Sequence, residues 1–308
     1  MSRLARKLTA LAEQRSRGLA AVRDAAREFR ALARYDGPEA LELIVRWTRA
    51  RLAFSGARGF VFGASGGVDS SLVACVLARA APRRVTAFVL PCDSRPQDER
   101  DARALCRALK IPVERIDLKP VFEAARAAFG PAEAVALGNL KTRLRTMALF
   151  HEAQRRDALH VGTGDLDEGW VGYYTKGSSS DLAPIGSLHK REVRALLRLA
   201  LKGPLGLRLS KKPADAGLGG GTAEQELGVS YDEIADALGV VFSGCGVYEG
   251  GLVPREGFDA AFERSRLSER AFLRIADRIY RARHKAFGAP VLWRDDSMPD
   301  RLERFESE

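Results

Sequence analysis

A strand, a loop of small residues and a helix follow one another without interruption near residue 60. Residues 59–62 are apolar, residues 63–71 read Gly-Ala-Ser-Gly-Gly-Val-Asp-Ser-Ser, and residues 72–77 are apolar and helix-like. A strand that runs through such a loop into a helix N-terminus directs backbone N–H groups and the positive end of the helix dipole at one spot. This arrangement favours an α/β fold with a phosphate-binding loop.

The residues of the loop suit a phosphate that is bound together with a cation. Two adjacent glycines, Gly66 and Gly67, allow the backbone to approach closely, and the hydroxyls of Ser65 and Ser70 add donors. Asp69 would repel a bare phosphate, so its presence indicates an intervening Mg²⁺. The loop lacks the Gly-Lys-Ser/Thr of a Walker A sequence. The alternative is a plain Gly/Ser turn between a strand and a helix.

Strands and helices alternate through the first half of the chain. Further strands are predicted over residues 85–90, 112–117 and 159–163, and helical periodicity lies between them. The pattern predicts a doubly wound parallel sheet with helices on both faces. Residues 1–37 are predicted as an N-terminal helical extension, and residues 38–308 as one domain that becomes mainly helical beyond residue 184.

Two glycine-rich stretches, residues 217–221 and 244–251, are predicted to be mobile loops. Cys245 lies in the second of them and is a candidate for exposure. Cys75 and Cys106 fall on apolar helix faces and are predicted to be packing residues. The four cysteines and four histidines show no metal-ligand spacing, which argues against a zinc site.

The net charge of +10 does not by itself indicate a nucleic-acid partner. Residues 1–36 hold nine Arg or Lys against four Asp or Glu, so half of the excess lies in this stretch. An anionic small substrate explains a basic cleft equally well, and nucleic acid is therefore not the expected partner. The chain has no apolar run of ~20 residues and no signal-peptide pattern at its start. A cytoplasmic protein without a membrane partner is expected.

A second group of polar residues follows the fourth predicted strand. The carboxyl ends of parallel strands meet at one edge of a sheet, so the segment 163–181 is expected beside the loop at 63–71. This places Glu168 near Asp69, and two carboxylates with ATP phosphate oxygens would make a Mg²⁺ site. A solvated acidic loop is the alternative for this segment.

The loop at 63–70 resembles the Ser-Gly-Gly-x-Asp-Ser loop of the ATP pyrophosphatases. The wider resemblance is to the ammonia-dependent NAD synthetases and covers residues 38–295. It depends on an ordered series of motifs rather than on any one of them. The series comprises residues 63–70, Asn139-x-x-x-Arg143-x-Arg145, Gly162-Thr163 with Glu168, Gly172-Tyr173-x-Thr175-Lys176, Lys190, residues 224–231 and His284-Lys285.

This resemblance implies a two-step reaction. ATP adenylates the nicotinate carboxylate of deamido-NAD and releases pyrophosphate, and ammonia then displaces AMP to form NAD. It also implies Mg²⁺ as cofactor, ATP as cosubstrate and a homodimer. The chain contains no segment that resembles a glutamine amidohydrolase domain, so free ammonia or a separate protein is expected to supply nitrogen.

The resemblance also assigns residues to roles. Asp69 and Lys190 are the catalytic residues that it implies, and Asp69 with Glu168 would hold the metal. Contacts to ATP are implied for Gly63, Ala64, Ser65, Gly66, Gly67, Val68, Asp69, Ser70, Thr163 and Lys190. Contacts to deamido-NAD are implied for Arg143, Lys176, Asp181, His284 and Lys285. From the residues alone, Arg143 could instead be a surface charge, and Lys190 could pair with Glu192 or Glu168.

Three features depart from the family pattern. The turn at residues 177–180 is shorter than usual before Asp181, and the hydroxyl residue expected after Pro213 is missing, with Asp215 nearby. Residues 1–37 have no counterpart in shorter members. The alternatives are therefore a related amidoligase for another carboxylate, a tRNA-modifying ATP pyrophosphatase, and a nucleotide-binding regulator without turnover.

Overall fold

The structure is a computed structural model that describes residues 19–215, 221–248 and 251–286. The strands are β1 (Gly59–Gly63), β2 (Val85–Val89), β3 (Val113–Arg115), β4 (Ala158–Val161), β5 (Cys245–Tyr248) and β6 (Gly251–Pro254). The helices are α1 (19–30), α2 (Pro38–Ser55), α3 (Val68–Ala80), α4 (Pro96–Ala108), α5 (Lys119–Phe129), α6 (Ala134–Arg155), α7 (Leu166–Val171), α8 (Lys190–Ala200), α9 (Pro204–Ser210), α10 (Ala223–Leu227), α11 (Tyr231–Gly244), α12 (Phe258–Ser265) and α13 (Glu269–Ala286).

The main sheet is parallel and has the strand order β3-β2-β1-β4. The chain runs outward from β1 through β2 to β3 and then returns to the other side of β1 to form β4. Phe62 of β1 pairs with Val161 of β4, so the carboxyl ends of these two strands lie side by side. This is the point at which the strand order reverses, where open α/β sheets bind their ligands.

Both faces of the sheet are covered by helices, as the sequence predicts. Phe60 and Phe62 join the core formed with α2, α3, α4 and α8, whereas Val61 between them joins the core formed with α5 and α6. Alternate residues of a strand point to opposite faces, so a strand buried on both sides is apolar throughout. The sheet is therefore a doubly wound parallel sheet, and the predicted fold class is confirmed.

The later helices form a second core beside the sheet. Ile234 and Leu238 of α11, Ile275 of α13 and Val171 of α7 are buried in it. Helix α11 begins with a capping box, in which the Ser230 hydroxyl accepts the N–H of Glu233 at 3.1 Å. Because Val171 belongs to α7, which follows β4, this core is joined to the loop at the carboxyl end of the sheet.

Helix α1 packs against the main domain. Its Phe29 lies 4.8 Å from the ring of Tyr35, and both side chains rest on the core under α2. Arg46 of α2 donates to Glu28 at 2.8 Å. The described part of the predicted N-terminal extension thus docks on α2 through an apolar contact and an ion pair.

Most of the glycine-rich stretch 244–251 belongs to secondary structure rather than to a mobile loop, and its residues 249–250 lie outside the described residues. Strands β5 and β6 form an antiparallel hairpin, in which Gly246 pairs with Val253. The expected exposure of Cys245 is also wrong, because this side chain is buried against α11 and α12. Cross-strand pairing satisfies the backbone here despite the glycines. The other stretch falls mostly on residues 216–220, which lie outside the described residues.

Cys75 and Cys106 are buried in the main core, as predicted. Burial raises the pKa of the Cys75 thiol to about 12 and that of Cys106 to about 11. Within the described ranges, no helix combines the length and apolar character needed to cross a bilayer.

Candidate active site

The loop between β1 and α3 has an open helix N-terminus. Gly67 is the N-cap of α3 and supplies no side chain to the first helical N–H groups. These donors have no intrahelical partner, and together with the helix dipole they attract an anion. Gly66 has φ of +73°, in the left-handed region that glycine enters without strain. The loop therefore has the form of a phosphate cradle.

Hydroxyl groups brace the loop from inside. Ser65 Oγ lies 2.9 Å from Ser70 Oγ and accepts the N–H of Gly67 at 3.2 Å. Ser71 Oγ donates to the carbonyl of Gly67 at 2.7 Å. The serines predicted as phosphate donors thus also hold the loop in shape.

Lys190 joins the loop of β1 to the loop of β4. It is the first residue of α8, and its side chain is fully buried. Its Nζ donates to Asp69 Oδ1 at 2.8 Å and to Glu168 Oε1 at 2.9 Å. Asp165 Oδ2 lies 2.9 Å from the same nitrogen. The structure therefore brings together the three residues predicted as catalytic or metal-binding, Asp69, Glu168 and Lys190.

Two aspartates hold the backbone at Lys190 and at Glu168. Asp167 is fully buried, and its Oδ2 accepts the N–H of Lys190 at 2.7 Å while its Oδ1 lies 2.7 Å from His189 Nδ1. Asp165 is the N-cap of α7 and accepts the N–H of Glu168 at 2.9 Å. Glu192, an alternative partner of Lys190, instead accepts the N–H of His189 at 2.8 Å.

The carboxylates outnumber the ammonium in this cluster. Burial raises the pKa of Glu168, and Asp69 raises it further while Lys190 opposes both. Burial also raises the pKa of Asp165 well above its usual range, with Glu168 adding to the effect. Burial alone would lower the pKa of Lys190, but Glu168, Asp69 and Asp165 raise it above its ordinary value. The cluster therefore favours the ammonium form of Lys190, while burial disfavours the charged forms of Glu168 and Asp165.

The donor set fits the implied Mg²⁺. Asp69 and Glu168 each use one oxygen on Lys190 and keep a second, and their side chains are 18% and 20% exposed, whereas Asp165 is closed off. Mg²⁺ in phosphate-transfer sites is held by one or two carboxylates together with phosphate oxygens and water. Over the described part of the chain, no group of three His, Cys, Asp or Glu forms a preformed metal cage.

Arg143 and Lys176 come together across α6 and the loop after α7. Arg143 Nε donates to the carbonyl of Lys176 at 3.1 Å, and Thr175 Oγ1 donates to Asn139 Oδ1 at 2.6 Å. Gly177 has φ of +92°, which turns the chain directly after Lys176. Asn139 and Arg143 lie one helical turn apart, so one face of α6 anchors this loop.

Lys285 contacts backbone rather than an acidic partner. Its Nζ donates to the carbonyls of Gly172 and Tyr174 at 2.7 and 2.9 Å, and burial lowers its pKa. Gly172 lies against Ala282, where a Cβ would come within 2.2 Å of the alanine side chain. Lys285 thus joins α13 to the segment before Lys176, and the side chain of His284 lies outside the described residues.

Asp181 closes the edge of β4. Its Oδ2 accepts the N–H of His160 at 2.8 Å, and its own N–H donates to the His160 carbonyl at 2.9 Å. Thr163 is half-buried in the segment between β4 and α7. Thr163 follows β4, whose carboxyl end lies beside that of β1, whereas the Asp181 carboxylate is engaged with the strand backbone.

Three residues of this region received no role from the sequence, although two of them, Arg145 and Tyr231, belong to the motif series. The Asp165 side chain caps α7, which the spacing Asp165-x-x-Glu168 could have indicated. The Tyr231 ring lies 4.8 Å from Lys190 Nζ, whereas in the sequence Tyr231 stood only as the last residue of the motif at 224–231. Arg145 Nε donates to the carbonyl of Leu90 at 3.2 Å, which places its guanidinium at the carboxyl end of β2.

Comparison with known proteins agrees with this arrangement. The NAD synthase family model matches residues 40–287. An NH(3)-dependent NAD(+) synthetase of Syntrophomonas wolfei is 36% identical over 214 residues, which cover 65% of this chain and 84% of that protein. One of Hyperthermus butylicus is 38% identical over 213 residues, 67% of this chain and 74% of that protein.

Two solved structures of synthetases are similar to this chain over most of its length. An NMN synthetase from Francisella tularensis is 30% identical with a TM-score of 0.70, covering 82% of this chain and 97% of that one. The fold is shared with an NH3-dependent NAD synthetase from Campylobacter jejuni, 24% identical, with a TM-score of 0.67 and coverage of 82% and 97%. The family match spans most of the chain, including the phosphate loop and the Lys190 cluster, and the chain belongs to the NAD synthase family.

Proposed function

We propose that the protein amidates deamido-NAD with ammonia at the expense of ATP. The nicotinate carboxylate attacks the α-phosphorus of ATP, which forms an acyl-adenylate and releases pyrophosphate. Ammonia then attacks the acyl carbon, loses a proton and displaces AMP, which leaves the amide of NAD. The observation that carries the proposal is the Lys190 ammonium, which lies within 2.8–2.9 Å of Asp69 and Glu168 at the meeting point of the β1 and β4 loops.

The phosphate loop receives the polyphosphate of ATP. Residues 63–70 offer the unpaired N–H groups of the first turn of α3 and the Ser65 and Ser70 hydroxyls. Thr163 and Lys190 extend the ATP site from the β4 side. A carboxylate that attacks a phosphate brings negative charges together, so donors already held in place lower the barrier without reorganising.

Asp69 and Glu168 are the residues that would hold Mg²⁺. When bound, the metal would neutralise the charge that develops on the leaving pyrophosphate. Lys190 lies between both carboxylates and orients them. Their negative charges in turn raise the pKa of Lys190 and stabilise its ammonium form. No side-chain nucleophile is required, so positioning and charge stabilisation carry the reaction.

We assign deamido-NAD to the surface around Arg143 and Lys176. The Arg143 guanidinium has a planar fork that can bind an oxyanion at two points, and it already touches the Lys176 backbone. Asp181 and Lys285 belong to the same proposed site through the loop they anchor, and His284 is the remaining member. The short turn at 177–180 ends this loop beside β4.

Ammonia is the proposed nitrogen donor, and we propose a homodimer that works in the cytoplasm, where ATP is available. Helices α5 and α6 carry large apolar side chains at the surface. Val121, Phe129, Val135 and Met147 are 44–76% exposed. Apolar side chains concentrated on neighbouring helices are typical of a protein–protein interface, and a second copy of the chain is the proposed occupant.

The direct test is to incubate the purified protein with ATP, Mg²⁺, ammonium chloride and deamido-NAD and to measure products by mass spectrometry. Equal amounts of NAD, AMP and pyrophosphate are expected. A parallel reaction without ammonia should accumulate adenylate but no NAD.

A second reaction should offer nicotinate mononucleotide, because an NMN synthetase is among the similar structures. Turnover of deamido-NAD at a much higher kcat/KM than the mononucleotide supports the proposal. The reverse preference would assign the protein to the mononucleotide, and formation of neither amide would refute an amidoligase.

A further inference from the structure

Lys212 lies against the phosphate loop from the side opposite β4. It follows α9, and its side chain is 18% exposed. Its Nζ donates to the carbonyl of Gly66 at 3.0 Å, to Asp98 Oδ1 at 2.7 Å and to Asp101 Oδ2 at 2.9 Å. All three donor positions of the ammonium are thus used, and one of them holds the backbone of the loop.

The bond to Gly66 determines which way one peptide group faces. The carbonyl and the N–H of a trans peptide point to opposite sides. With the Gly66 oxygen on Lys212, the N–H of Gly67 points the other way, towards Ser65 Oγ at 3.2 Å. Neither Gly66 nor Gly67 has a Cβ that would oppose a flip of this peptide group. A flip would turn a carbonyl oxygen towards the bound polyphosphate.

Helix α4 leaves little room behind this peptide. A Cβ on Gly66 would lie 2.3 Å from the carbonyl oxygen of Asp98 and 3.0 Å from Asp101 Cβ. Two carboxylates therefore stand next to the loop that is proposed to bind ATP. Asp101 is 2% exposed, so its charge is poorly screened by water.

Cations balance these carboxylates. Asp101 pairs with Arg208 as well as with Lys212, and Asp98 lies 3.2 Å from Arg95 Nε. Arg95 also pairs with Asp215 at 2.9 Å. The side chains of Arg95, Arg208 and Lys212 thus balance the three carboxylates of this group, which are Asp98, Asp101 and Asp215. Removal of Lys212 would leave one unbalanced negative charge beside the phosphate loop.

We propose that Lys212 is a positioning residue for ATP, which holds the Gly66 peptide in its phosphate-binding orientation and screens the loop from Asp98 and Asp101. The role in ATP binding rests on the proposed function. Lys212 does not touch the reacting atoms. It acts through the loop and should change the affinity for ATP rather than for the carboxylate substrate.

The test compares Lys212→Met with Lys212→Arg and with Lys211→Met, whose lysine is the exposed neighbour. Loss of a charged hydrogen bond corresponds to about tenfold in binding. Lys212→Met should raise the KM for ATP about tenfold and leave the KM for deamido-NAD nearly unchanged. Its melting temperature should fall, because the buried Asp101 loses one of its two cationic partners. Lys212→Arg should recover most of the loss, and Lys211→Met should match the wild type.

The double variant Lys212→Met, Asp98→Asn separates electrostatics from simple loss of packing. Removal of the Asp98 charge should restore part of the ATP affinity, because it removes the excess negative charge that the loss of Lys212 leaves beside the loop. Equal rises in both KM values, together with no recovery in the double variant, would show that Lys212 is only a structural contact and would overturn the proposal.

Hydrogen exchange of the ATP-free protein gives a readout that does not depend on the reaction. Amides of residues 64–70 should exchange faster in Lys212→Met than in the wild type, and not in Lys211→Met. Unchanged exchange together with unchanged ATP affinity refutes the inference. If the wild type makes no NAD but binds ATP by calorimetry, and Lys212→Met weakens that binding, the proposed function fails while the inference stands.

Discussion

The Nζ of Lys190 lies 2.8 Å from Oδ1 of Asp69, although 121 positions separate the two residues in the chain. Asp69 stands in the first turn of α3, and Lys190 is the first residue of α8. Their contact therefore joins two helix N-termini at the edge of the sheet. Because both helix ends are positive, they favour the carboxylates and phosphates that we place there.

Replacing Asp69 with Asn should remove most of the activity and leave the fold intact. The amide keeps the shape of the side chain but lacks the charge that pairs with Lys190 and with Mg²⁺. Loss of one electrostatic partner of a transition state costs on the order of 10²–10³ in rate. Pyrophosphate release measures the effect, and Asp259→Asn on the surface of α12 is the control. Wild-type turnover by Asp69→Asn would eliminate the assigned role.

The ring of Tyr231, rather than its hydroxyl, should matter for Lys190. The ring centroid lies 4.8 Å from Lys190 Nζ, and the buried hydroxyl has no hydrogen-bond partner within the described residues. Tyr231→Phe keeps the cation–π contact and removes an unsatisfied polar group, so it should be as stable as the wild type or more stable. Tyr231→Leu removes the cation–π contact, so its free energy of unfolding should be lower by about 2 kcal/mol or more and its turnover slower. Urea unfolding and pyrophosphate release measure both, and a destabilised Phe variant would show that the hydroxyl is bonded.

Arg143→Lys should weaken deamido-NAD binding selectively. Lysine keeps the charge but not the planar fork, and it cannot both hold the Lys176 carbonyl and bind an oxyanion at two points. A loss of about 1.4 kcal/mol in the binding free energy of deamido-NAD corresponds to about a tenfold higher KM for this substrate. The KM for ATP should stay unchanged, as should both constants in Arg126→Lys, an exposed arginine of α5. A rise in the KM for ATP alone would move Arg143 to the ATP site.

His160 should make the protein less stable in acid. Burial lowers the pKa of this residue to about 4, and its ring packs edge-to-face on Phe150 at 4.8 Å. An unfolded histidine has a pKa of about 6.5, so the unfolded chain binds more protons between the two values. The neutral His160 ring contributes fully to the free energy of unfolding above pH ~6.5. As the pH falls towards ~4, this contribution is lost, and the free energy of unfolding falls by at most about 3 kcal/mol.

Urea unfolding of His160→Leu at several pH values tests this assignment. The pH dependence between about 6.5 and 4 should flatten in this variant. It should persist in His151→Leu, whose histidine is exposed. An unchanged slope in His160→Leu would place the acid sensitivity in other groups.

The strand–loop–helix unit and the sheet could be predicted because short apolar runs and their spacing along the chain indicate them. The apolar runs around Val61 and Phe88 are short and continuous, as in strands that are buried on both faces. The β5–β6 hairpin was not predictable, because its glycines read as a loop and cross-strand pairing decided otherwise. Lys212 gave no signal, since a lysine after a short helix is usually a surface residue.

By itself, the amino-acid sequence determined the fold class, the strand–loop–helix unit around residues 63–70 and the family, because each is encoded in periodicity or in an ordered series of motifs. The sequence predicted that Glu168 lies near Asp69, but only the tertiary structure decided that β4 pairs directly with β1 and that Lys190 and Asp165 join these two carboxylates. It also decided which side chains are engaged with backbone, as Asp181 and Lys285 are. The physical reason is that strand order and burial depend on contacts between residues far apart in the chain, and local sequence carries no direct record of them.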